Sequence, residues 1–113
     1  MNPDPIPGGK LLDRLPATTD REHFEDLLAR PGARIERIVS RGHLTPPGEW
    51  YDQTEDEWVL VIEGEGAIEF ADPPESLVLG RGDWVLIPAG CRHRVVRTAD
   101  PTVWLAVWLP AGV

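Results

Sequence analysis

The sequence predicts an all-β protein, a small barrel preceded by an N-terminal arm and one short helix. Three observations carry this. From Ala33 onward, short apolar runs recur at even spacing between Gly- and Pro-rich turns, the pattern of a sandwich or barrel. Two of these runs, Glu57–Glu63 and Val103–Leu109, are apolar on both parities, so each is covered on both faces. Only the stretch from about 20 to 30 has helical spacing.

Composition bounds the function. At 113 residues the chain suits one domain, with arm and helix over 1–32 and the barrel over 33–109. A net charge of −8 repels phosphate backbones and anionic lipid, which argues against nucleic-acid and membrane partners. Cys91 is the single cysteine, so no internal disulfide forms and a reducing cytoplasm fits. Met1–Pro7 lacks the basic and apolar regions of a signal peptide, and no apolar run reaches the roughly 20 residues of a membrane span. Five tryptophans suit apolar pocket walls that keep one polar N–H each.

Taken in order, residues 1–18 hold four prolines and two glycines and read as an extended arm along a sheet edge. Thr19-Asp20-Arg21-Glu22 has capping-box spacing. Phe24, Leu27 and Leu28 follow at i, i+3 and i+4, predicting an amphipathic helix that Pro31-Gly32 ends. Arg34–Arg41 is a strand, Pro46-Pro47-Gly48 a loop, and Trp50–Gln53 a short extended piece. Glu57–Glu63 turns at Gly64-Glu65-Gly66 and runs back as Ala67–Phe70, predicting a hairpin. Leu77–Leu79, Trp84–Ile87, Arg92–Arg97 and Val103–Leu109 complete the strands, with turns at Gly80–Asp83, Pro88–Gly90 and Ala99–Pro101. On the last strand Trp104, Ala106 and Trp108 share one face and Val103, Leu105, Val107 and Leu109 the other; one face is expected to line the cavity and the other to meet the arm, the helix or a second subunit.

Gly82, Pro88, Gly90 and His93 have the spacing G-x5-P-x-G-x2-H, which resembles the second conserved motif of the cupin superfamily. That motif usually ends in Asn four residues after the histidine, where this chain has Arg97. Glu57 and Gly64 match the end of the first motif. The resemblance spans about residues 33–109 and implies a cupin-type barrel, the double-stranded β-helix. Trp50-Tyr51-Asp52-Gln53 before Glu57-Trp58 is similar to a group of small single-domain bacterial cupins of largely unassigned function. Small cupins of this kind often dimerise, which agrees with the doubly buried strands.

In typical cupins a His-x-His pair, the glutamate and the second-motif histidine bind a divalent metal. Here the His-x-His positions fall on Tyr51 and Gln53 at one spacing and on Trp50 and Asp52 at the other. The resemblance therefore implies a site of Tyr51, Gln53, Glu57 and His93 for Mn, Fe, Ni or Zn. A neutral amide is a weak ligand and a phenol binds well only once deprotonated, so weak binding or none is expected. Glu57 or Tyr51 would move protons in a dioxygenase, isomerase or lyase acting on a small polar or carboxylated molecule. The other reading is a metal-free module that binds a small molecule without catalysis. Arg97 shares parity with His93 and faces either the cavity or a rim salt bridge. Arg92 and Arg94 alternate outward, His43 is a surface residue in the loop after Gly42, and Cys91 is structural.

Overall fold

The computed structural model describes residues 6–17 and 20–112 and contains eight strands and no helix among them. They are β1 (His23–Arg30), β2 (Ala33–Ser40), β3 (Glu55–Glu63), β4 (Glu65–Ala71), β5 (Pro74–Gly80), β6 (Trp84–Ile87), β7 (His93–Thr98) and β8 (Thr102–Pro110). A five-stranded sheet of order β1-β2-β8-β3-β6 faces a three-stranded sheet of order β5-β4-β7, and every pairing is antiparallel. Among the described residues no helix is long and apolar enough to cross a membrane.

The core lies between the sheets. Val59 and Val61 of β3, Ile87 of β6 and Trp104, Ala106 and Trp108 of β8 are buried there, with Ile68 opposite on β4. Period-two alternation produces this, because residues of one parity on each strand point at the facing sheet. Of the two apolar faces of the last strand, the structure turns the one with Trp104, Ala106 and Trp108 inward.

Two expectations fail. The predicted helix over 20–30 is β1, and Thr19 of its capping box lies outside the described residues. Turn and pairing override the helical spacing: Pro31-Gly32, with Gly32 at φ 81°, reverses the chain so that Arg30 meets Ala33 and His23 meets Val39. A bulge between Asp26 and Leu28 shifts the alternation by one residue, which explains why Phe24, Leu27 and Leu28 resemble a helical stripe. The predicted hairpin of 57–63 with 67–70 also does not form. Only Gly64 separates β3 from β4, and the chain passes from one sheet to the other, where β4 pairs with β5 and β7. Gly64 has φ 86°, and a Cβ there would overlap Thr102 and the Pro101 carbonyl, so the corner requires glycine.

The described part of the arm, residues 6–17, runs as irregular chain. Arginine side chains hold it: Arg37 donates to the carbonyls of Leu11 and Asp13 at 3.0 and 2.8 Å, and Arg41 Nε donates to that of Pro16 at 2.8 Å. Arg37 also pairs with Glu25 at 3.0 Å, so its buried charge is compensated.

Gly66 on β4 lies against the indole of Trp104, and a Cβ there would overlap the ring. Gly66→Ala is expected to lose about 1–3 kcal/mol of stability through overpacking. A urea melt that left the midpoint unchanged would show that Trp104 yields freely.

Candidate functional site

The strand alternation that fills the core also leaves a cavity of about 80 Å³ between the sheets. Tyr51, Gln53, Glu57 and His93 all line it, so the four residues singled out from sequence come together. Trp104 and Trp108 form part of its apolar wall, with Ile38, Ile68 and Ile87.

Each polar side chain is placed by a definite backbone element. Glu57 sits on β3, where it pairs with Ile87 on one side and Trp108 on the other, and is buried. His93 opens β7 from the opposite sheet and is also buried. Tyr51 forms a short bridge with His93, through Tyr51 N–H to the His93 carbonyl at 2.7 Å and the reverse bond at 3.1 Å. The Gln53 carbonyl accepts from Gly90 N–H at 2.8 Å, tying this segment to the Pro88–Gly90 turn. The motif glycine and proline thus act as a backbone frame for the histidine.

His93 Nδ1 lies 2.9 Å from the Cys91 carbonyl, which only accepts, so Nδ1 carries a hydrogen. That orientation turns Nε2 toward Glu57 Oε1 at 3.6 Å, beyond direct hydrogen-bond distance. A buried imidazole nitrogen and a buried carboxylate thus face each other from opposite sheets.

The structure adds residues that sequence reading missed. Glu22, assigned there to a helix cap, reaches the cavity, as does Phe24. Read with period two, positions 22 and 24 share a face, and that was the available signal. Glu22 is fixed by a relay in which Trp104 Nε1 donates to Ser40 Oγ at 3.1 Å and Ser40 Oγ donates to Glu22 Oε2 at 2.5 Å. Outside the cavity a wider vestibule is lined by Arg21, His23, His43 and Thr45 among others. The ambiguous Arg97 is at the rim, paired with Glu65 at 2.6 Å. Arg94 points outward, pairs with Glu69 at 2.8 Å and stacks over Trp50 at 4.7 Å. Cys91 is structural, packing against the core while its carbonyl orients His93.

Burial and then the charge of Glu22 push the Tyr51 phenol above its ordinary pKa of 10.0. It is a neutral hydroxyl at physiological pH, suited to hydrogen bonding and unsuited to be a phenolate ligand. Among the described residues no three His, Cys, Asp or Glu side chains come together as a metal-binding group. With Gln53 a neutral amide, the donors reduce to Glu57 and His93, which does not fit a tightly held divalent metal.

The comparisons with known proteins agree with this architecture. The cupin domain family matches residues 38–108. A crystal structure from Ralstonia eutropha JMP134, described as a candidate mannose-6-phosphate isomerase, is 46% identical with TM-score 0.88, covering 92% of this chain and 98% of that one. A cupin superfamily protein from Desulfitobacterium hafniense DCB-2 is 19% identical with TM-score 0.74, over 97% and 94% of the two chains. An RmlC-like cupin protein from Desulfovibrio desulfuricans is 20% identical with TM-score 0.74, over 93% and 98%. Among curated proteins, none matches.

Tyr51 is the single tyrosine, so ultraviolet titration reads it directly. Its midpoint is expected above 10.0 in the native protein and lower in Glu22→Gln, because one source of the shift is removed. Because the folded-state pKa is the raised one, the associated stability is intact below about pH 10 and falls as pH rises through the native midpoint. A midpoint unmoved by Glu22→Gln would contradict the placement of these two side chains.

Proposed function

The chain belongs to the cupin family, and we propose that its barrel binds a small polar molecule between Glu57 and His93. The single observation that carries this is the pair of buried ionisable side chains, Glu57 and His93, brought within 3.6 Å of each other from opposite sheets at the cavity wall. Burying two ionisable groups costs free energy, and a purely structural core has no use for them. Tyr51 and Gln53 supply further hydrogen-bonding groups, and Trp104 and Trp108 form part of the apolar wall. The isomerase activity described for the Ralstonia eutropha protein is not carried over, because neither Lys nor Arg lines this cavity to receive a phosphate.

A second reading keeps a divalent metal. It is favoured by the Cys91 carbonyl, which orients His93 as the outer partner of a metal-binding histidine does. With two donors only, Glu57 and His93 would hold such an ion weakly. A thermal-shift screen of small polar metabolites, with metal analysis of untagged protein, separates the two. The expected result is a ligand that stabilises the wild type and not Glu57→Gln or His93→Ala. Stoichiometric Mn, Fe, Ni or Zn lost in both variants would replace the first reading with the second. A screen with no ligand and no metal would remove both.

The dimer expected from the sequence is likewise a proposal. Strand register lines up Leu86, Trp58, Val107, Ile35 and Leu28 across the outer face of the larger sheet. Trp84 and Leu86 are 59% and 48% exposed there. That band is uncharged while the chain carries −8, so two copies repel least when they meet on it. Light scattering is expected to give a dimer that Leu86→Asp dissociates, and a wild-type monomer mass would refute it.

A further inference from the structure

The cavity lining has a sign. Two of its residues, Glu22 and Glu57, are acidic, and it contains neither lysine nor arginine. The guanidinium groups closest to the barrel are committed elsewhere. Arg34 lies over the ring of Trp108 at 4.9 Å and is not part of the lining. Arg37 is buried against Glu25 and the arm, and Arg97 and Arg94 pair with Glu65 and Glu69. Arg21 stands in the vestibule, beside Asp20 and Glu22.

The lining also has a shape suited to positive charge. Phe24, Tyr51, Trp104 and Trp108 contribute four aromatic side chains to it. An aromatic ring presents a negative face, and a cation enclosed by such rings and by carboxylates is stabilised where water is excluded. Glu22 is held in place by Ser40 and Trp104. Across the cavity, Glu57 is the second carboxylate, buried and 3.6 Å from His93 Nε2.

Resting on the binding reading above, we infer that the ligand is a small organic cation, an amine with an additional hydroxyl, and not a carboxylate or phosphate. Its ammonium group lies on the cavity side of the Glu57–His93 pair and donates to Glu57 Oε1. Its hydroxyl meets Tyr51 and Gln53, and its methylene groups contact the tryptophan wall. The volume of about 80 Å³ admits about six non-hydrogen atoms, on a scale of 10–15 Å³ per water-sized group. Glu22 acts as the second anionic wall and sets the sign of the entrance.

The test uses three probes of nearly equal size on the full chain: 3-amino-1-propanol, 1,3-propanediol and 3-hydroxypropionate, with mannose-6-phosphate as a fourth. Heteronuclear NMR reads the indole N–H signals of Trp104 and Trp108, whose Nε1 groups hydrogen-bond to Ser40 and Glu36. The amino alcohol is expected to shift both signals saturably, with affinity at least about tenfold above the diol, since hydrogen bonds to charged groups exceed neutral ones by this order. The two anions are expected to leave them unmoved. Glu57→Gln, which keeps the shape and removes the charge, is expected to weaken the amine about tenfold and the diol much less. Glu22→Gln weakens it less.

Equal or tighter binding of the diol, the hydroxy acid or the sugar phosphate would overturn the cation assignment while leaving a ligand-binding barrel. The same holds if no probe shifts the indoles but the metabolite screen yields a neutral or anionic ligand. If neither the probes nor the screen gives binding, the cation assignment and the binding reading fail together.

Discussion

Strand β8 is the constraint on which the rest of the molecule depends. It lies between β2 and β3 in the middle of the larger sheet, so its hydrogen bonds set the register of both neighbours. Its inward residues, Trp104, Ala106 and Trp108, form the cavity wall, and Val103 on the other face is fully buried. A slip of one residue would exchange those faces and put the tryptophans outside. The large–small–large order of the inward side chains also leaves space at Ala106, where two continuous large residues would close the barrel.

Around that strand the barrel keeps polarity at one place. Most inward positions are aliphatic or aromatic, whereas Glu57 and His93 meet from opposite sheets without touching. Such an arrangement is costly in an apolar interior, and the costs are contained by backbone groups. The Cys91 carbonyl orients the imidazole, the Tyr51 bridge fixes the strand that carries it, and Asp56 accepts from Ala89 N–H at 2.8 Å to hold β3 against the Pro88 turn. The turn motif therefore matters less for flexibility than for aiming one side chain.

The eight-strand barrel was largely legible in the sequence, because alternation and Gly/Pro punctuation are local signals. Seven of the strands were visible as apolar runs, but the last strand is apolar on both parities, so only the facing sheet shows that Trp104 and Trp108 form the cavity wall. What failed depended on pairing at a distance. Phe24, Leu27 and Leu28 mimic a helix because a bulge breaks their alternation, and only the partner strand β2 reveals it. Glu22 was hidden by the same error. Gly64-Glu65-Gly66 looked like a hairpin turn, but a single-residue corner and a reversal share the same glycines. The four polar residues were placed correctly in one cavity, while the anionic sign of that cavity was not visible until Glu22 joined it and Arg97 left it.

The corner at Gly64 has a mechanical consequence. Glu57 is on β3, which continues through one residue into β4, and β4 is hydrogen-bonded to β7, the strand of His93. The two jaws of the gap thus belong to one stiff frame, like the arms of a caliper joined at a short pivot. The surface segments at residues 20–24 and 43–46, which shape the entrance, stand outside that frame. Sequence drift in those segments can recast what is admitted without resetting the distance between the jaws, so this barrel separates the evolution of selectivity from the upkeep of its grip.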